Sequence, residues 1–281
     1  MRKRKDNLLL LIWLIPFILL ILAFEILPVI TIINSSFLQS GGTYYTLKQY
    51  KLIFNNKFYL QSIENSVVIS LISSIVGLLV ALIGSHSITK LPAKIRDNVL
   101  MLSNMTSNFA GVPLAFAFMI LIGINGVFTV IAKNLGIKLF QGFNLYSEMG
   151  LIVVYIYFQI PLGILLLYPI FDNIKKEWID AAVMLGASNA NFWRYIGLPV
   201  ILPGLLGTFG ILFANAMGAY ATAYALVGNF NLMTIRISSL ISGDITLDPN
   251  LASAMAVILG LILISFTLLN EMMLKKGNNV R

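Results

Sequence analysis

The sequence predicts an all-α polytopic membrane protein with six membrane-crossing helices. Apolar residues make up 58% of the 281 and charged residues only 11%, where an average soluble domain carries about 25% charged residues. The apolar residues gather into continuous runs of bilayer length, whereas barrel strands would alternate over about ten residues. The basic residues fall in short segments between those runs, which is the pattern of a topology signal. A net charge of +8 distributed in this way is no argument for nucleic acid. The chain has no cysteine, which excludes disulfides, thiolate metal sites and a cysteine nucleophile.

The elements follow in order. Residues 1–7, "MRKRKDN", read as a basic cytoplasmic N-terminus, and residues 8–33 as the first span. Its apolar stretch exceeds the ~7–15 residues of a signal-peptide core, so it is an anchor. Twenty of its 26 residues are Leu, Ile, Val or Phe. At about −0.4 kcal/mol each these outweigh the roughly +3 kcal/mol of Glu25. Residues 34–62 form an external segment, with an amphipathic stretch at 44–60. A core of five spans occupies 63–274, at about 63–88, 99–124, 149–172, 200–227 and 251–274, and 275–281 is a cytoplasmic tail. The third span carries Asn104, Thr106, Ser107 and Asn108 ahead of its apolar half. Lipid cannot hydrogen-bond these residues, so they face other helices or water.

Charge sets the orientation. With the N-terminus inside, thirteen Lys and Arg fall on the cytoplasmic side, among them Lys90, Lys94, Arg96, Lys175, Lys176 and Arg194, and six fall outside. Both termini are therefore expected in the cytoplasm, and so is the segment 173–199 between the fourth and fifth spans. The outer segments 133–150 and 236–250 read as loops with interfacial pieces. They either meet an external partner or rest at the headgroups, and Asp244 and Asp248 lie among them.

The cytoplasmic segment "KKEWIDAAVMLGASNANFWRYIGLP" is only moderately apolar. Trp178, Ala182 and Leu185 recur at helical spacing, a helix persists to Gly186, and Ser188 can cap the next one. That second helix bends at Pro199 and Pro203 on its way into the fifth span. Small residues at 181 and 182 let another surface come close, so the short helix fits a groove in a partner.

The same stretch resembles the signature loop of permease subunits in binding-protein-dependent ABC importers. That pattern is E-A-A, three residues, G, nine residues, I-x-L-P. This chain has Asp180, Ala181 and Ala182, then Gly186, then Ile196, Leu198 and Pro199, with Asp180 in place of the glutamate. "NSVVISLISSIVGLLVAL" (65–82) is similar to the opening of the family's core. "SNFAGVPLAFAF" (107–118) and "GAYATAYALVG" (218–228) resemble its iron(III), polyamine and aminophosphonate branch.

The resemblance implies the six-helix permease fold of type I ABC importers in a bacterial inner membrane. It implies cytoplasmic ABC ATPase subunits held through Asp180–Pro199, a second and distinct permease subunit, and an external solute-binding protein. The cargo implied is a small charged solute, and ATP and magnesium would sit on the ATPase, with no cofactor on this chain. The chain has no G-x-x-x-x-G-K-[ST] phosphate loop, and His86 is its one histidine, so it reads as a non-catalytic subunit.

Candidate path residues are the polar ones inside spans. Asn215, Tyr220, Thr222 and Tyr224 stand among Ala and Gly in the fifth, where they either line the path or hydrogen-bond between helices. Glu25 either faces the path, favouring a cationic cargo, or sits at the outer headgroups with no such meaning. Two other readings of the whole chain are an ATP-independent secondary transporter, which would show inverted repeats, and a membrane assembly factor that moves nothing.

Overall fold

The computed structural model describes residues 14–39, 41–42, 44–137, 142–243 and 247–278, with side chains through Met272. The basic segment 1–7, Asp244 and residues 279–281 of the expected tail lie outside the described residues, as do the side chains of Lys275 and Lys276. Among the described residues the chain is helical, with one isolated antiparallel bridge, Leu38 to Tyr45. Six helical stretches are long and apolar enough to cross a membrane. These are Leu14–Ser36 (α1), Lys57–Ile88 (α3), Val112–Asn134, Glu148–Asp172 (α7), Asn189–Met217 and the stretch beginning at Pro249. The expected all-α, six-span architecture is what the chain adopts.

Two expected spans are interrupted. The run predicted as one helix over 99–124 is instead α4, Ala93–Ser107, then a non-helical stretch, then α5, Val112–Ile122, and α6, Val127–Asn134. The cause is local. Gly111 adopts φ +80, outside helical geometry, and Pro113 lies in the first turn of the new helix, where its missing amide costs least. The run predicted over 200–227 is α10, Leu198–Met217, followed by α11, Tyr220–Val227, with the break at Gly218 and Ala219.

Two five-residue π-turns have a common origin. Leu22–Ile26 directly precedes the helical run containing Pro28, and Trp193–Gly197 directly precedes the run containing Pro199. A proline ring crowds the carbonyl four residues back and cannot donate to it, so the preceding turn widens.

The chain falls into two compact units, residues 1–60 with 236–262, and 61–235 with 263–281. In the first, α1 has no buried residue within its most apolar window. The chain then turns into α2, Lys48–Asn55, which is anchored by Tyr50, whose hydroxyl donates to Ser36 Oγ at 2.8 Å. Asn250, near the start of α13 (Pro249–Asn278), donates to the Leu38 carbonyl at 2.9 Å. Asp248 caps α13 by accepting from the Leu251 amide at 3.0 Å. Arg236, on α12 (Met233–Ser242), lies over the Phe58 ring at 4.9 Å, and burial holds its guanidinium below the usual value.

In the second unit α7 is the central helix, packed by α4, α10 and α11. Its contact with α3 is built from small residues. Ser66, Ser70, Ser73, Ser74, Gly77 and Ala81 recur at helical spacing along α3, and all are buried. Without a hydrophobic driving force between helices in lipid, such residues let backbones approach and pack. A Cβ on Gly163 of α7 would fall 2.7 Å from that of Ala81, and one on Gly77 would fall 3.0 Å from that of Gln159.

Gln159 is fully buried at this contact. Its surroundings are satisfied when Nε2 donates to the Leu212 carbonyl at 3.0 Å and Oε1 accepts from the Ser73 hydroxyl at 2.9 Å. One side chain thereby ties α3, α7 and α10. Gly163→Val is expected to overpack this contact at a cost of about 1–3 kcal/mol. The check is the thermal midpoint of the detergent-extracted protein, which should fall, while Val153→Leu on a more exposed part of the same helix should leave it in place.

Candidate functional site

The two helix interruptions meet. The Gly111 amide donates to Thr222 Oγ1 at 2.9 Å, and the Thr222 hydroxyl lies 3.3 Å from the Gly111 carbonyl, which it can reach in return. On the other side of the second break, the Tyr155 hydroxyl of α7 donates to the Ala219 carbonyl at 2.7 Å. Backbone groups released by broken helices in a membrane protein need partners within the protein or water in a cavity. Here one threonine and one tyrosine supply such partners.

Beside this clasp is a cavity of about 470 Å³. The Ala110–Gly111 stretch, Phe158, Asn215, and residues 218–222 around the second break line it. No charged side chain is part of the lining, and its polar character comes from Asn215, Tyr220, Thr222 and backbone. Asn215 is exposed at the end of α10, and the Tyr220 and Tyr224 rings stack at 5.3 Å with an interplanar angle of 26°. Asn215, Tyr220 and Thr222 are thus brought together at one cavity. Thr222 is buried and holds the breaks, and Tyr224, though stacked on Tyr220, is not in the lining.

Glu25 belongs to the other compact unit and is not among the residues of this lining. It stands exposed on the π-turn Leu22–Ile26, and among the described residues it makes no ion pair.

The segment singled out in the sequence forms a second constellation. Helix α8, Lys176–Met184, ends in a double closure around glycine. The Gly186 amide donates to the Val183 carbonyl and the Ala187 amide to the Ala182 carbonyl, both at 2.9 Å, with Gly186 at φ +76. This is the Schellman pattern, and it requires the left-handed conformation that glycine adopts without penalty. Ser188 Oγ accepts from the Asn191 amide at 3.2 Å and caps α9, Asn189–Phe192, which continues through the π-turn Trp193–Gly197 into α10.

The surfaces of α8 divide sharply. Ala182 is buried, while Asp180 and Ala181 are exposed. The apolar tip projects, with Val183 63%, Met184 90% and Leu185 88% exposed. Ile196 and Leu198 are partly exposed beyond the turn, with Pro199 between exposed and buried.

Gly197, which the sequence pattern leaves as a variable position, has a definite role. The Trp193 ring folds onto it, and a Cβ there would fall 2.4 Å from that ring. Trp193 also meets His86 edge-on at 5.1 Å, and His86 and Phe171 lie 5.5 Å apart, so His86 is a packing residue of this cluster. Among the described residues no group of three or more His, Cys, Asp or Glu side chains could hold a metal ion.

Known proteins resemble this chain in both sequence and fold. Residues 73–276 match the family model of the binding-protein-dependent transport system inner membrane component. The chain is 26% identical over 255 residues to the spermidine/putrescine transport system permease protein PotB of Haemophilus influenzae, covering 89% of this chain and 85% of that one. It is 24% identical to the inner membrane ABC transporter permease protein YcjP of Escherichia coli, over 69% of this chain and 64% of that one. In fold it is similar to a chain of a bacterial ABC transporter involved in import of the acidic polysaccharide alginate. The TM-score there is 0.75, at 18% identity and 98% coverage of both chains.

The clasp makes a direct prediction. Thr222→Val keeps the shape but removes both hydrogen bonds, at a cost of about 0.6–2 kcal/mol. Thermal stability of the purified protein is expected to fall, and Thr222→Ser to restore it. An unchanged midpoint in the valine variant would mean that the interruptions are held by something else.

Proposed function

The chain belongs to the family of binding-protein-dependent transport system inner membrane components, and on that footing we propose how its parts divide the work of an importer. It is a multi-pass permease subunit of a binding-protein-dependent ABC importer. The family leaves the secondary-transporter and assembly-factor readings without support.

In this proposal α8 is the coupling element. It faces the cytoplasm, as the charge distribution favours, and enters a groove of an ABC ATPase subunit, where ATP and magnesium are bound. The observation that carries the proposal is the bare apolar tip, Val183 to Leu185, on a helix closed by a glycine cap and joined by the short turn 185–188 to α9, which runs through the π-turn into α10. Apolar residues so exposed beyond the spans call for a partner. Displacement of the tip reaches α10 because the turn between α8 and α9 is short and capped at both ends, and α9 is helically continuous with α10. Asp180 offers a charge at the flank of the contact, and Ala181 permits close approach. Ile196, Leu198 and Pro199 set the bend into α10. The chain itself performs no catalysis.

The path is proposed to run past the cavity at the two helix interruptions, with Asn215 and Tyr220 as its polar contacts. A second permease, distinct from this one, completes it, and an external solute-binding protein delivers the cargo. A small charged solute fits the kinship, with polyamines foremost because the PotB relative transports them by name. Glu25 is the acidic residue to test for a role with a cation.

Two measurements test the coupling. The chain has no cysteine, so Met184→Cys creates a unique thiol, which a membrane-impermeant reagent should modify only from the cytoplasmic side. Gly186→Val imposes roughly 1–2 kcal/mol of backbone strain at the cap, enough for about a tenfold shift between conformations. Its Cβ would meet nothing within 4 Å, so the protein should remain in the membrane. Uptake of labelled putrescine and transport-linked ATPase activity are expected to fall together. Wild-type coupling in that variant would refute the assignment of α8.

A further inference from the structure

We infer that the groove between the end of α3, the end of α7 and the π-turn Trp193–Gly197 is the seat of an anionic phospholipid. The groove encloses about 500 Å³ and is walled by Leu82, Ile83, Phe171, Trp193, Leu198 and Ile201. Its polar corner is made by Arg194, His86 and Ser87. Three candidate spans contribute their ends here: Lys57–Ile88 near His86, Glu148–Asp172 at Phe171, and Asn189–Met217 near Trp193. The groove therefore lies where hydrocarbon gives way to headgroups, whichever side of the membrane that is.

Charge decides the occupant. Arg194 makes no ion pair among the described residues and is exposed, its guanidinium resting over the Tyr195 ring at 5.7 Å. Lys90 lies four residues beyond His86 and close enough to act on it electrostatically. The Ser87 hydroxyl is turned back to the Ile83 carbonyl at 2.8 Å, so the cations rather than the hydroxyl would meet a headgroup. An apolar slot for an acyl chain, opening at a guanidinium with no carboxylate in the lining and with a further cation, Lys90, acting on His86, matches a phosphodiester lipid of net negative charge. The proposal does not rest on the coupling role of α8. A lipid seated here would brace the π-turn through which α9 joins α10, so its occupancy would also bear on how firmly those two move together.

The test uses the full chain purified with the subunits it assembles with. Native mass spectrometry is run with equal amounts of phosphatidylglycerol and phosphatidylcholine. The wild type should retain phosphatidylglycerol preferentially. Arg194→Gln should lower that retention about fivefold without lowering that of phosphatidylcholine. Ile83→Trp, at a side chain 69% exposed and so tolerant of size, should fill the slot and displace lipid of either kind.

A phosphatidylglycerol carrying a photoreactive acyl chain should crosslink to residues 82–87 in the wild type, which keeps the test decisive if Arg194→Gln fails to fold. Equal retention of the two lipids overturns the proposal. So does crosslinking confined to other segments, or a groove closed by another subunit.

Discussion

In hydrocarbon an unpaired backbone amide or carbonyl has no water to turn to, and this chain nevertheless breaks two helices that its apolar pattern would have continued. The structure depends on how that is resolved. The breaks at 108–111 and 218–219 are brought side by side, and Thr222 and Tyr155 take up backbone groups around them. Local bonds satisfy only part of each break, such as Phe109 to the Thr106 carbonyl and Gly218 to the Ala214 carbonyl. The pairing of two distant segments, 111 residues apart in sequence, fixes α5 against α11 and leaves a cavity at the junction. The cavity is thus a by-product of the way the broken backbone is accommodated.

Stiffness elsewhere follows from the same economy of polar groups. Gln159 uses its amide to join α3, α7 and α10 at a contact otherwise made of serine, glycine and alanine. Such a contact leaves little slack, because the space beside Gly163 is already taken by the Ala81 methyl of the opposite helix. On the α8 side, rigidity comes from closure of ends. The glycine cap at 186 and the serine cap at 188 leave one residue, Ala187, between them, and the π-turn packs its Trp193 ring onto Gly197. A proposed force applied at Met184 therefore meets few soft torsions before it reaches α10.

Much of this was legible in the residues. Six spans followed from run length, and Gly186 and Ser188 were placed at a helix end and a helix start by their type alone. The interruption of the third expected span was not foreseen, although its signal was present in "GVP" and in the polar run Asn104 to Asn108. An apolar stretch of bilayer length outweighed them, since hydropathy averages over the single glycine that decides the backbone. Pairing of Gly111 with Thr222 is a long-range fact that no local pattern encodes. Gly197 was hidden by its neighbours: the motif constrains Ile196, Leu198 and Pro199, while the need for glycine arises from an aromatic ring four residues earlier folding back on it.

The uncharged lining of the cavity bears on what a path for a charged solute requires. A carboxylate facing a polyamine in a low-dielectric channel would bind it tightly, and a site that binds tightly releases slowly. Neutral groups in the lining such as the Asn215 amide can offset part of the solute's lost hydration without creating a deep well. On the proposed reading, selection by charge belongs where the solute is first captured, outside the membrane, and the conformational cycle supplies the energy to move it onward. A permease of this kind gains from polar groups that are weak and numerous. That is consistent with the proposed division of labour, in which an external protein recognises, an ATPase drives, and this chain supplies a cavity whose shape depends on two broken helices clasped to each other.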